Sequence, residues 1–207
     1  MAPAQDGGSL HLYTTLIGII GLLLSAIGYL INAWGQTIPV VIGMSLLVIG
    51  YSVLISYEIS VISPQPKTLD HSPGPDKSGK SGGQSGAYGD YARTVGYLLI
   101  FLFFSGIHVN PALTITVRYY DKLAAFGALL CSVPTVLTTL VGDLFLLAYY
   151  VLGAIPKFYV REGTVDLLQM VSRPILAVFY ALMIYSTIIG MQRKTASPSS
   201  MDKSKHV

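Results

Sequence analysis

Two ionisable residues lie inside long apolar stretches of the chain and are its best candidates for chemistry. Asp143 occurs in LVGDLFLL and Arg173 in MVSRPIL. Counted from the shared end of two consecutive antiparallel segments, Asp143 lies about 11 residues deep and Arg173 about six, an offset of roughly 8 Å. Because charge in apolar surroundings is costly and usually paired or functional, we predict that the two side chains interact. The pair would be a structural ion pair or a proton or substrate site, unless one of the two residues is interfacial.

A second candidate is a polar break near the middle of the third apolar stretch. His108 and Asn110 precede Pro111, which has no N–H to donate to the carbonyl of Ile107. That carbonyl needs another partner at membrane depth. The pattern is compatible with the start of a permeation or proton pathway, and equally with a kink beside a hydrogen-bonded histidine.

The same segment carries a family resemblance. Residues 105–114, SGIHVNPALT, resemble the SGxHxNPAVT segment of the aquaporin family. In that family the Asn-Pro-Ala turn caps a half-helix and its Asn orients permeating water. The resemblance implies a pathway at Asn110 in an assembly of two chains, because the family uses two such half-helices. A second Asn-Pro-Ala does not occur here, and neither does the pore arginine that follows it.

A nucleotide site is not expected, although residues 74–81, GPDKSGKS, fit the G-x-x-x-x-G-K-[ST] pattern. In nucleotide hydrolases a strand precedes that loop and a helix follows it. Here Gly74 comes shortly after an apolar stretch, and we expect no helix to start in the GGQSGAYG that follows Ser81. We predict that the chain binds neither nucleotide nor nucleic acid.

Metal and cofactor sites are also not expected. Cys131 is the single cysteine, so neither an intrachain disulfide nor a cysteine metal cluster can form. Two deep axial histidines for haem are missing, and a carboxylate–histidine site would need more ligands than Glu58, His108 and Asp143 provide. We predict no cofactor, no metal and no enzymatic activity.

The composition indicates a membrane protein. Of the 207 residues, 52% are hydrophobic and 11% are charged, and the mean hydropathy is +0.60, whereas soluble domains carry roughly 25% charged residues. The apolar residues form blocks of about 20, the length of a membrane-spanning helix. We therefore predict an all-α, polytopic helical bundle of about five transmembrane helices, integral to a membrane that the sequence does not identify.

The predicted organisation has five parts. A short tail (1–9) precedes a transmembrane hairpin (10–62), a flexible polar Gly/Ser/Pro loop (63–93), a second transmembrane bundle (94–191) and a disordered basic tail (192–207). The fourth apolar block, residues 123–154, contains Pro134 and is either one kinked helix or two.

Orientation stays open. Five spans place the two termini on opposite sides and divide the Lys and Arg residues of the loops and tails equally. One side has Lys67, Lys77, Lys80, Arg93, Lys157 and Arg161, and the other has Arg118, Lys122, Arg193, Lys194, Lys203 and Lys205.

Small residues recur at helical spacing in two of the blocks. They are Gly18, Gly21, Ser25 and Gly28 in the first block and Gly127, Cys131, Thr138 and Gly142 in the fourth. Such stripes allow close helix packing, within one bundle or against a partner. The leading hypothesis is a non-catalytic subunit or assembly component of a membrane complex, associated with other membrane subunits or with itself. The alternative is an oligomeric channel or transporter with a pathway near His108, Asn110, Asp143 and Arg173.

Overall fold

The computed structural model describes residues 7–34, 38–62, 83–106, 121–155 and 167–195, and every regular element among them is a helix. The helices are α1 (Gly7–Ala33), α2 (Ile38–Ile62), α3 (Gly83–Phe104), α4 (Asp121–Cys131), α5 (Val136–Ala154) and α6 (Leu167–Thr195). The helical class that the sequence predicts is therefore confirmed for these residues.

Four helices in the described ranges are long and apolar enough to cross a membrane. The spans are Leu10–Ile31, Val40–Val61, Val136–Ala154 and Leu168–Gln192. These helices support an integral membrane protein, but they do not confirm the predicted count of five.

The third helix begins earlier than the sequence predicts. We expected a flexible loop up to residue 93 and no helix start after Ser81, yet α3 begins at Gly83. Its first three turns contain Gly, Ser, Asp and Arg, so α3 is less apolar than the four candidate spans.

The fourth apolar block forms two helices rather than one kinked helix. α4 ends at Cys131, and the chain reverses through a turn that contains Pro134. Thr135 caps α5 by accepting a hydrogen bond from the Thr138 backbone N–H at 3.3 Å. The Thr138 hydroxyl donates to the Val133 carbonyl at 2.9 Å. Proline removes a helical donor and the cap starts a new helix, so α4 and α5 form a tight antiparallel pair.

The six helices form a closed ring within the described ranges. Each helix packs against the next one in sequence, and α6 packs against α1. Neighbours are antiparallel, so α1, α3 and α5 begin at the end where α2, α4 and α6 finish. We call it the His11 end, and the opposite one the Arg173 end. α1 therefore begins at the same end of the bundle at which α6 finishes, whereas five spans would separate them.

The small-residue stripes pack helices of this same chain. Gly18 and Gly21 of α1 face Phe179 and Leu176 of α6. The backbones of Gly127 in α4 and Gly142 in α5 approach each other closely. A third close contact, between Gly50 of α2 and Gly96 of α3, is one that the sequence analysis missed. These glycines therefore contact neighbouring helices inside the bundle.

We predict that Gly142→Ala destabilises the bundle. A Cβ there would lie 2.5 Å from Cys131 Sγ and 2.8 Å from the Gly127 carbonyl oxygen. The backbone cannot yield as a flexible side chain would, so we expect a loss of about 1–3 kcal/mol. The measurement is the melting temperature in detergent by circular dichroism. Gly190→Ala is the matched control, because no heavy atom lies within 4 Å of its added Cβ; equal melting of the two variants would contradict the packing.

Candidate functional site: a buried charged cluster at the His11 end

Three charged residues from three helices lie close together at the His11 end. Glu58 comes from the last turns of α2, Arg93 from α3 and Asp143 from α5. Glu58 is 8% exposed and Asp143 is 1% exposed, while Arg93 is partly buried. The positive charge of Arg93 is near enough to act on both carboxyl groups. Burying charge is costly without such compensation, so this cluster is the strongest candidate site in the described residues.

Arg93 joins α3 to the hairpin formed by α4 and α5. Its Nη2 donates a hydrogen bond of 2.7 Å to Thr139 Oγ1, and its guanidinium lies 5.8 Å from the centre of the Tyr97 ring. The next residue, Thr94, donates to the Ser132 carbonyl at 2.9 Å, at the end of α4. The sequence predicts Arg93 at the end of a loop and does not indicate its role in this contact. A predicted helix start before residue 93 would have placed Arg93 inside a helix and indicated this role.

Glu58 faces a small cavity among α1, α2, α3 and α6. Thr15 of α1 hydrogen-bonds to the Glu58 carboxyl group, and the Thr15 hydroxyl lies 3.5 Å from His11 Nδ1. The cavity measures about 60 Å³, and its polar lining comes from His11, Tyr57, Glu58 and Arg93. The rest of the wall is apolar or aromatic. The volume is enough for at least two water molecules and is too small for a large organic solute.

Asp143 lies beyond Arg93, one helical turn after Thr139. Its Oδ1 accepts a hydrogen bond from the Cys131 thiol, with 3.4 Å between sulfur and oxygen. Its Oδ2 is buried and makes no hydrogen bond with any residue that the structure describes. Buried polar atoms are nearly always hydrogen-bonded, and an exception points to a functional group or a small bound species.

The sequence-predicted pair of Asp143 and Arg173 is not among the described contacts. Arg173 Nη1 donates instead to the Gly153 carbonyl at 3.0 Å, near the end of α5. Gly153 and Asp143 are ten residues apart, about 15 Å along a helix. Arg173 therefore lies towards the opposite end of the bundle from Asp143.

Several other predicted residues lie outside the described ranges. They are His108, Asn110 and Pro111, and the nucleotide-like segment 74–81. Among the residues that the structure does describe, no group of three or more His, Cys, Asp and Glu residues is placed to hold a metal ion.

Tyrosines fill the middle of the bundle beneath the cavity. The Tyr51 and Tyr150 hydroxyls are 3.1 Å apart, and the Tyr150 and Tyr180 rings stack with their centroids 5.5 Å apart. Alongside them, the Ser25 and Ser172 hydroxyls are 3.1 Å apart. We call Tyr51, Tyr150 and Tyr180 the tyrosine layer. It is packed, and it separates the charged cluster from Arg173.

Comparison with protein-family models, with curated proteins and with solved structures finds no match for this chain. The short resemblance to the aquaporin segment is thus not accompanied by a family-level match. The interpretation of the site depends on its own geometry.

We predict that Tyr150→Phe destabilises the bundle by about 1–2 kcal/mol, because it removes the buried hydrogen bond between the Tyr51 and Tyr150 hydroxyls. The readout is thermal unfolding in detergent. Tyr185→Phe is the control, since Tyr185 is 54% exposed and has no such role. An equal effect of both substitutions would argue against a stabilising bond in the tyrosine layer.

Proposed function

We propose that this protein is a small membrane transport protein that moves a small ion through the helical ring, with Glu58, Arg93 and Asp143 as the polar groups of its pathway. One observation carries the proposal: a charged cluster is buried beside a cavity inside a largely apolar bundle. A bundle that needed only to be stable would have less reason to retain it, because apolar residues of similar volume often replace buried ionic groups without loss of stability.

The packed tyrosine layer favours one kind of transport. Beneath the cavity, Tyr51, Tyr150 and Tyr180 are buried and in contact with one another. Passage therefore requires these side chains to move, as in a transporter that alternates between two states. A permanently open pore does not fit this packing.

The second candidate is the non-catalytic subunit of a larger complex. It is favoured by the last stretch of α6, where residues 182–192 have no buried side chain. That surface is available to a partner helix or to lipid. The stripe glycines Gly18, Gly21, Gly127 and Gly142 lend this candidate no support, because they pack against helices of the same chain.

Reconstitution tests the transport proposal. The purified protein in phosphatidylcholine vesicles should dissipate an imposed gradient of H⁺, Na⁺ or K⁺ faster than empty vesicles. Glu58→Gln and Arg93→Gln should each slow that flux by about tenfold or more, equal to about 1.4 kcal/mol in the barrier. Asp90→Asn and Lys122→Gln are the matched controls, because both residues are exposed.

The opposite result favours the second candidate. It would consist of no flux of any of the three ions above that of empty vesicles, together with a membrane partner that co-purifies in a fixed ratio in mild detergent.

A further inference from the structure

Among the residues that the structure describes, Asp143 has five titratable or charged neighbours, contributed by four helices. Cys131 approaches from α4, Arg93 and Tyr97 from α3, Tyr180 from α6 and Glu58 from α2. Arg93 is the only cation in this set. The carboxyl group is thus enclosed by weak proton donors, a second carboxyl group and one fixed positive charge.

The chemistry of this enclosure selects the ion. A hard metal cation takes six or more oxygen ligands, and Thr139 Oγ1 is already engaged by Arg93. The Arg93 guanidinium would also repel a metal ion. A proton needs no set of ligands, because it binds to one oxygen, and by neutralising the carboxyl group it removes a buried charge. Asp143 Oδ2, which has no hydrogen bond among the described residues, is the atom left for it.

We propose that Asp143 is an exchangeable proton-binding site, with Oδ2 as the atom that carries the proton and Arg93 as the charge that stabilises the carboxylate once the proton has left. The proton passes to the Glu58 carboxylate, which lines the cavity, so that Asp143 becomes charged as Glu58 becomes neutral. Glu58 then releases it at the His11 end. This inference rests on the proposed function and specifies the ion.

Cys131 provides a built-in reporter of the state of Asp143. It is the single cysteine of the chain, and its thiol donates to Oδ1 of the same carboxyl group. A carboxylate is a stronger acceptor than a neutral carboxyl group. The S–H stretching frequency should therefore fall when Asp143 loses its proton, and no other thiol contributes to that band.

Infrared difference spectroscopy of the full chain in phosphatidylcholine vesicles tests the proposal over a pH titration. We expect the C=O stretch of a protonated carboxyl group to disappear as the pH rises, and the S–H band to shift with the same midpoint. Asp143→Asn should remove the carboxyl signal that shares its midpoint with the S–H band, and should hold the S–H band constant. The matched Asp90→Asn variant should leave both signals as in the unmodified protein.

Arg93→Gln tests whether Arg93 acts on the charge of Asp143, because a purely structural role would leave the titration midpoint unchanged. Loss of the positive charge disfavours the carboxylate, so the shared midpoint should rise by about one pH unit or more. An unchanged midpoint would remove Arg93 from the proposal. If the Asp143 variant does not fold, the S–H band of the unmodified protein still decides, because a band that stays constant over the whole titration overturns the site.

The two proposals fail separately. Titrating carboxyl and S–H bands without proton flux would leave the proton site in place and remove transport. Flux of Na⁺ or K⁺ with no titrating signal from Asp143 would retain transport and overturn the proton site.

Discussion

The fold and the site both depend on Arg93, which compensates the buried charge of Glu58 and Asp143. This single guanidinium ties α3 to α5 through Thr139 and supplies the positive charge near Glu58 and Asp143. Its position depends on the close approach of α2 and α3 at Gly50 and Gly96, where added Cβ atoms would meet the opposite backbone. Two turns after Gly50 comes Glu58, and one turn before Gly96 comes Arg93. The glycine contact therefore sets the level at which the charges meet.

The regions of the fold that sequence predicts well are those with continuous apolar runs. α1 and α2 lie close to the predicted hairpin (10–62), and α6 ends close to the predicted end of the second bundle (94–191). Few other arrangements satisfy the backbone hydrogen bonds of such segments in lipid. The depth of Asp143 is equally evident from its apolar flanks. Pro134 marks a discontinuity, but a kink and a reversal are both compatible with a proline. In the structure, Thr135 caps the start of α5, and this cap favours the reversal over the kink.

The regions that sequence does not predict are those stabilised by tertiary contacts. The first turns of α3 have the composition of a loop, and their helical structure comes from packing, as at Gly89 against Tyr57. The contact partners of individual side chains are harder still to predict from the sequence. Counting depths pairs Asp143 with Arg173, whereas the hairpin of α4 and α5 brings Cys131 to Asp143, and α3 brings Arg93. The Gly, Ser and Lys composition around residues 74–81 gives no indication of the helix that starts at Gly83.

The contact between α1 and α6 has a consequence for access. By closing the ring, this seam completes the set of described helices that surround the charged cluster. A lipophilic molecule that approached from the side within a bilayer would have to separate α1 from α6. These two helices are closely packed, with Gly18 and Gly21 of α1 facing α6. The lateral route to the cluster would thus stay closed unless these two helices separate.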